Sequence, residues 1–259
     1  MKKHINPDIH QLLQPWMSPS LRFALIKYGG GIVQMSGSIA GQVHARNRFG
    51  NYMRARTKPV NPKSPRQVGA RVLMMFLAEQ WREAPMTDPI RTAWQTYANS
   101  VNWLNRLGET VTLTGFNMFM RGNSARMRIG GALVTAGPTD LGLPAGDPNM
   151  VVSNCTEAAQ KFDLAFDDTM DWCTEDGGFL AMQQGEPQNP TRNFFNGPWR
   201  TCAYISGIDP GGVASPALAL PNIGYTITEG QKIWWRAAII RKDGRVSTKF
   251  ECDPVIAVA

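Results

Sequence analysis

Ten side chains in one short stretch carry the only pattern here with a clear chemistry: Arg46, Arg48, Phe49, Tyr52, Arg54, Arg56, Lys58, Lys63, Arg66 and Arg71. Eight are cationic and two aromatic, and the whole run Gly41–Arg71 holds no acid. Guanidinium groups at close spacing pair bidentately with carboxylates or phosphates. Rings set among them offer faces on which bases stack. Two functional chemistries fit: docking onto an acidic protein neighbour, or neutralising nucleic-acid phosphates. A solvated basic loop is the bland alternative. The stretch also carries Lys58-Pro59 and Asn61-Pro62 steps and little apolar surface. Burial within the run cannot offset its ordering entropy, so it is expected to take shape by lying on a partner.

Catalytic patterns are missing. There is no GxSxG, HExxH, Walker-type or dinucleotide glycine motif, so no enzyme, catalytic residue or cofactor is expected. Gly29-Gly30-Gly31 lacks the residues that would make it a phosphate cradle and reads as a flexible joint. The run Asp167-Asp168-Thr169-Met170-Asp171 offers oxygens for calcium but lacks the glycine turn and distal Glu of an EF-hand loop. It reads as a solvated loop. His4, His10 and His44 read as surface residues of the front half, far from Cys155, Cys173, Cys202 and Cys252, and no CxxC occurs. No metal site is expected, and the cysteines read as buried reduced thiols. The tryptophans read as core, although an exposed Trp172 or Trp199 would favour a carbohydrate- or host-binding surface.

The charge is unevenly spread. Residues 1–78 hold twelve Lys/Arg against Asp8 alone, residues 79–150 hold six of each sign, and residues 151–259 hold nine bases against thirteen acids. A basic front and an acidic back favour contact between copies or with an acidic partner. At 259 residues, 43% hydrophobic and 18% charged, the chain is globular and large enough for a buried core. The start has a basic pair but no apolar h-region, and no run approaches the roughly 20 apolar residues of a membrane span.

The elements that must position the basic stretch follow in order. Residues 1–20 are an irregular lead-in, Leu21–Tyr28 a strand or helical turn, and Ile32–Ile39 a short strand. Ser64 caps a helix with Pro65 first, running to about Ala84, with Val68, Val72, Met75, Phe76 and Trp81 as its apolar positions. Thr87-Asp88-Pro89 opens a second helix bearing Ile90, Trp94, Tyr97, Ala98 and Val101, so an αα-hairpin is expected. Glu109–Leu113 is a strand candidate. Thr114 caps a third helix to about Ile129, with Phe116, Met120, Asn123 and Met127 along one side and Arg121, Arg126 and Arg128 elsewhere. The Gly/Pro-rich residues 131–150 read as a linker. Beyond it come eight strand candidates: Val151-Val152, Lys161–Phe166, Gly178–Gln183, Arg200–Ser206, Gly224–Thr228, Lys232–Ile240, Val246–Cys252 and Val255–Val258. Asp243-Gly244 marks a two-residue hairpin. The predicted fold is α+β: an extended basic arm with short strands (1–63), a helical hub (64–130), the linker, and an antiparallel β-sandwich (151–259) resembling immunoglobulin or fibronectin type III modules, with Trp234 or Trp235 at its core.

The run Ser36–Gln67, the Trp81 and Trp94-Gln95-Thr96-Tyr97-Ala98 helices, Leu107-Gly108-Glu109 and Thr114-Gly115-Phe116-Asn117-Met118-Phe119 together resemble a family of uncharacterised proteins of bacteriophages and prophages. The resemblance spans about Ser36 to Ile129 and implies a structural role in the virion, with no enzymatic residues to carry over. On this view the partners are copies of the chain and other virion proteins, with no membrane. The alternatives are a DNA-binding packaging protein using the same arginines, or a host-surface binding module in the sandwich.

Overall fold

The computed structural model describes residues 23–259 apart from 33, 59, 84 and 106, so the expected lead-in over 1–20 lies outside the described residues. Among the described residues, three helices and thirteen strands, paired antiparallel, make a mixed α+β chain. It divides into two compact units, one of the residues up to Lys63 with Trp103–Val111, the other of Ser64–Asn102 with Thr112–Ala259.

The first unit carries the four-stranded sheet β1 (Phe23–Ile26), β2 (Gly37–Ile39), β3 (Gln42–Asn47) and β4 (Gly50–Ala55), in the order β1-β4-β3-β2. Ala40 and Gly41, with φ 45° and 82°, form the two-residue turn between β2 and β3. Positive φ at both centres matches the twist of the strands it joins. A two-stranded ribbon, β5 (Trp103–Leu104) with β6 (Thr110–Val111), completes the unit. The sequence makes the basic stretch depend on a partner for its shape. Instead, residues 42–55 satisfy their backbone in a hairpin of their own. The argument about burial still holds, because His44, expected at the surface, is the one buried side chain among this unit's described residues.

In the second unit the caps fall where the sequence puts them. α1 (Pro65–Arg82) starts at Ser64, whose hydroxyl accepts the Gln67 N–H at 3.4 Å. α3 (Gly115–Met127) starts at Thr114, which accepts the Asn117 N–H at 3.3 Å. α2 (Asp88–Ser100) follows Thr87 and has its proline in the first turn. The α1–α2 link is clasped by Arg91, whose guanidinium donates to the carbonyls of Trp81 and Arg82 at the open end of α1. Both helices pack on α3, through Trp81 on Phe116 and Phe119 and through Trp94 on Phe119. The expected apolar face of α1 is corrected in part. Leu77 is its buried residue, while Val68, Val72 and Met75 stand 44–58% exposed, because α1 meets α3 through its C-terminal half.

Residues 151–259 form a sandwich. One sheet has the order β11-β8-β7, from β7 (Val151–Thr156), β8 (Lys161–Ala165) and β11 (Ala217–Pro221). The other has the order β10-β9-β12-β13, from β9 (Phe179–Gly185), β10 (Trp199–Ser206), β12 (Lys232–Ile240) and β13 (Phe250–Ile256). One core joins them, with Phe162 of the first sheet 4.5 Å from Trp235 of the second, centroid to centroid. Trp235 is thus the core tryptophan, and Trp234 stacks outward on Phe195. Some expected strands shift. Ala217–Pro221 pairs with β8 in place of Gly224–Thr228, and the last two candidates merge into β13. The Asp243-Gly244 turn is a three-residue loop, closed by Arg241 N–H on the Arg245 carbonyl, with Gly244 at φ 88° supplying the left-handed step.

Residues 131–150, expected to be a linker, are packed onto the helices and the sandwich. Buried Asn123 brackets Val134, accepting its N–H at 2.7 Å and donating to its carbonyl at 2.9 Å. Trp94 Nε1 donates to Thr135, and Arg245 pairs with Asp140. Arg126, placed off the apolar side of α3 by its spacing, is 4% exposed and donates to the carbonyls of Ala132, Gly177 and Arg241. Glycine and proline composition suits a linker, but it also suits a strap whose backbone is held by side chains from elsewhere. Helices and sandwich therefore belong to one compact unit.

The four cysteines are free thiols, three buried and Cys252 half-buried. Burial pushes Cys155 up to about 12 and Cys173 and Cys252 up to about 11. Two outcomes check the packing of this unit. Gly122 lies against the Gly244 carbonyl, so a methyl there has no room, and Gly122→Ala should lose about 3 kcal/mol in urea unfolding. Tyr97, whose buried hydroxyl has no partner among the described residues, is raised by desolvation from 10.0 to about 12. The stability linked to that shift is complete below pH 10 and is lost as pH rises toward 12, by about 2–3 kcal/mol. Absorbance titration should show one of the five tyrosines ionising only on unfolding.

Candidate functional site

The strand register fixes where the cations go. In β3 and β4 the directly opposed residues, which share a face, are Val43 with Arg54, His44 with Met53, Ala45 with Tyr52 and Arg46 with Asn51. Arg46 therefore shares a face with His44 and Met53, while Tyr52 and Arg54 lie on the opposite face. Arg48 and Phe49 form the tip, where Asn47 Oδ1 accepts the Phe49 N–H at 2.9 Å. Arg46, Arg48, Arg54, Arg56 and Lys58 are all exposed, and Phe49 and Tyr52 are half-buried. Lys63 is exposed where the first unit ends. Arg66 and Arg71 are exposed too, but they belong to α1 and so to the second unit. The ten residues are thus split between a two-faced hairpin, the segment after it that holds Arg56, Lys58 and Lys63, and the start of a helix.

Few internal partners temper the charge of the hairpin. Arg46 reaches Gln34 Oε1 at 3.4 Å, a neutral acceptor. The acid among the unit's described residues, Glu109, is taken by Lys27 at 2.5 Å. The Lys27 hydrogen bond, with a second from Asn105, holds the Glu109 carboxyl below its usual range. An exposed pair of this kind adds little stability. A shallow cleft lies beneath the tip, lined by Ile26, Lys27, Tyr28, Phe49, Asn51 and Glu109 among others. Tyr28 Oη lies 3.0 Å from His44 Nδ1, tying the end of β1 to β3. Lys27, Tyr28 and His44 belong to no motif that would single them out in the sequence. Alternation across Val43–Ala45 and Tyr52–Arg54, with Asn47 and Gly50 between, is the signal that points to the hairpin they support.

Other candidates resolve differently. Asp167 accepts from Thr169, Asp171 pairs with Arg241 at 3.2 Å, and Glu175 pairs with the same guanidinium at 2.5 Å. Among the described residues no group of three or more His, Cys, Asp or Glu is arranged to hold a metal ion. Trp172 is 1% exposed and packs on Phe166, so it cannot serve as a sugar platform, while half-buried Trp199 is covered by Phe195 and Arg236. No described helix is long and apolar enough to cross a membrane.

Compared with protein-family models, curated proteins and solved structures, the chain matches none.

A sheet in which His44 is the one buried side chain among the described residues opens easily. Amides of β3 and β4 should therefore exchange at least about 100-fold faster than those of β9 and β12 in native-state hydrogen exchange, which follows local opening.

Proposed function

We propose that this chain is a structural component of a bacteriophage particle, a minor capsid, decoration or head–tail protein, that docks onto neighbouring subunits through the basic hairpin of its first unit. One observation carries the reading: exposed arginines occupy both faces and the tip of a sheet with almost no core of its own. A single nucleic-acid strand is met by one basic face. Cations on two faces suit a hairpin laid between acidic neighbours, where guanidiniums pair with carboxylates and sheet burial supplies the missing core. Residues 151–259 carry thirteen acids against nine bases, a charge of opposite sign that copies of the chain can offer the hairpin. The resemblance of Ser36–Ile129 to phage and prophage proteins points the same way. The seven strands of residues 151–259, ordered β11-β8-β7 and β10-β9-β12-β13, are compatible with the expected immunoglobulin- or fibronectin III-like module.

The test replaces Arg46, Arg48, Arg54 and Arg56 by Ser. The variant should keep its circular dichroism spectrum. Its content in particles induced from the encoding strain, read by mass spectrometry, should fall at least about tenfold, as loss of several charge-assisted contacts requires. Normal incorporation would reject the docking hairpin. Salt-sensitive binding of duplex DNA, abolished by the same substitutions, would transfer the hairpin to the nucleic-acid reading.

A further inference from the structure

The outer face of the second sheet meets α3 at a cleft of about 200 Å³. Ala181 and Ala238 from the strands, Ala125 and Ile129 from α3 and the segment after it, and Ile240 and Val246 give it an apolar lining. Gln183 and Thr201, opposed in the ladder, supply polar groups on one side. The rim is cationic, with Arg121 and Arg128 from α3 and its C-terminal cap and Lys249 from the residue before β13. None of the thirteen lining residues is acidic. Arg236, opposite Gln183 in the ladder, donates to Gln183 Oε1 at 2.7 Å and brings a fourth positive charge beside them. The acid acting on Arg236 is Glu251, its cross-strand partner.

This convergence is unlike the sites of Arg126, Arg241 and Arg245. Arg126 is buried against carbonyl oxygens, Arg241 is paired with Asp171 and Glu175, and Arg245 is paired with Asp140 and Asp243. Arg121 is anchored on the carbonyls of Val246 and Ser247, which fixes its guanidinium at the rim. The side chains of Lys249 and Arg128 make no ion pair with the described residues. Burial, and then the like charges of Arg236, Arg121 and Arg128, pull Lys249 below the ordinary lysine range. Cations gathered around one hollow repel one another unless an anion sits between them.

We propose that this cleft binds a phosphate group, with Lys249 and Arg128 as direct ligands, Arg121 as the fixed charge behind them, and Thr201 and Gln183 as polar partners. A dianion with several equivalent oxygens matches cations converging from both a helix and a strand end, whereas a planar carboxylate satisfies one guanidinium. The phosphate can belong to a free small molecule or to a nucleic-acid backbone. The site uses none of the residues of the basic hairpin.

Calorimetric titration of the full chain with inorganic pyrophosphate, in phosphate-free buffer at low salt, tests this. Saturable binding is expected. Lys249→Gln and Arg128→Gln should each weaken it about tenfold, the usual worth of one charge-assisted hydrogen bond. Lys249→Arg should retain it. Lys242→Gln, on the exposed turn after β12, should leave it unchanged. A single-stranded twelve-nucleotide DNA separates the sources. Tighter binding than pyrophosphate, with the same loss in Lys249→Gln, assigns the phosphate to a nucleic acid; weaker binding assigns it to a small molecule. Absence of saturable pyrophosphate binding, or binding that both glutamine variants leave intact, overturns the proposal.

Discussion

Backbone carbonyls at the β12–β13 turn need donors, and α3 provides them as guanidinium groups. Arg126 bonds the carbonyls of Gly177 and Arg241, and Arg121 bonds those of Val246 and Ser247. Burying a cation costs several kcal/mol unless its donors are satisfied. A carbonyl oxygen can accept twice, as that of Arg241 does from the Gly244 N–H and from Arg126. Desolvation pulls both arginines below their usual range, and the carboxylates of Glu175 and Asp243 oppose that pull at Arg126. Gly122 lets the helix approach closely enough for these bonds to form. Remove that approach and the helices lose their seat on the sandwich.

The same interaction explains which parts of the fold the sequence discloses. Ser64-Pro65, Thr87-Asp88-Pro89 and Thr114 are local signals, each acting within one turn of helix, and each marks its helix correctly. Strand runs such as Lys232–Ile240 are equally local. What binds the elements together is not local. Arg121 and Arg126 meet carbonyls 51 to 126 residues away, and Asn123 brackets Val134. By type the two arginines are ordinary surface residues of a helix, and Asn123, although on the apolar side, has no partner that the sequence shows. Their buried roles depend on partners that no periodicity predicts, so composition alone makes a linker of a packed strap.

The basic stretch is legible in its composition but not in its form. Eight cations without an acid predict an exposed, positively charged surface, and the arginines of β3 and β4 are exposed. The hairpin is hidden because charge dominates the run and its apolar alternation is short. Arg128 and Lys249 are hidden for another reason. They lie far apart in the sequence, and only the docking of α3 brings them to one rim.

How so cationic a segment pairs as a sheet at all is answered by its register. Like charges directly opposed across strands are destabilising. In this ladder Arg54 stands between Val43 and Phe23, and Arg46 stands opposite Asn51, so no two cations of β3 and β4 face each other. A ladder slipped until Arg46 met Arg54 would set two guanidiniums against each other. It would also carry buried His44 away from Met53 and onto the face of Tyr52 and Arg54. The observed register avoids both costs and spreads the charge over the two faces and the tip. That spacing lets the hairpin form without an acid inside it and leaves its cations outward, where a partner can reach them.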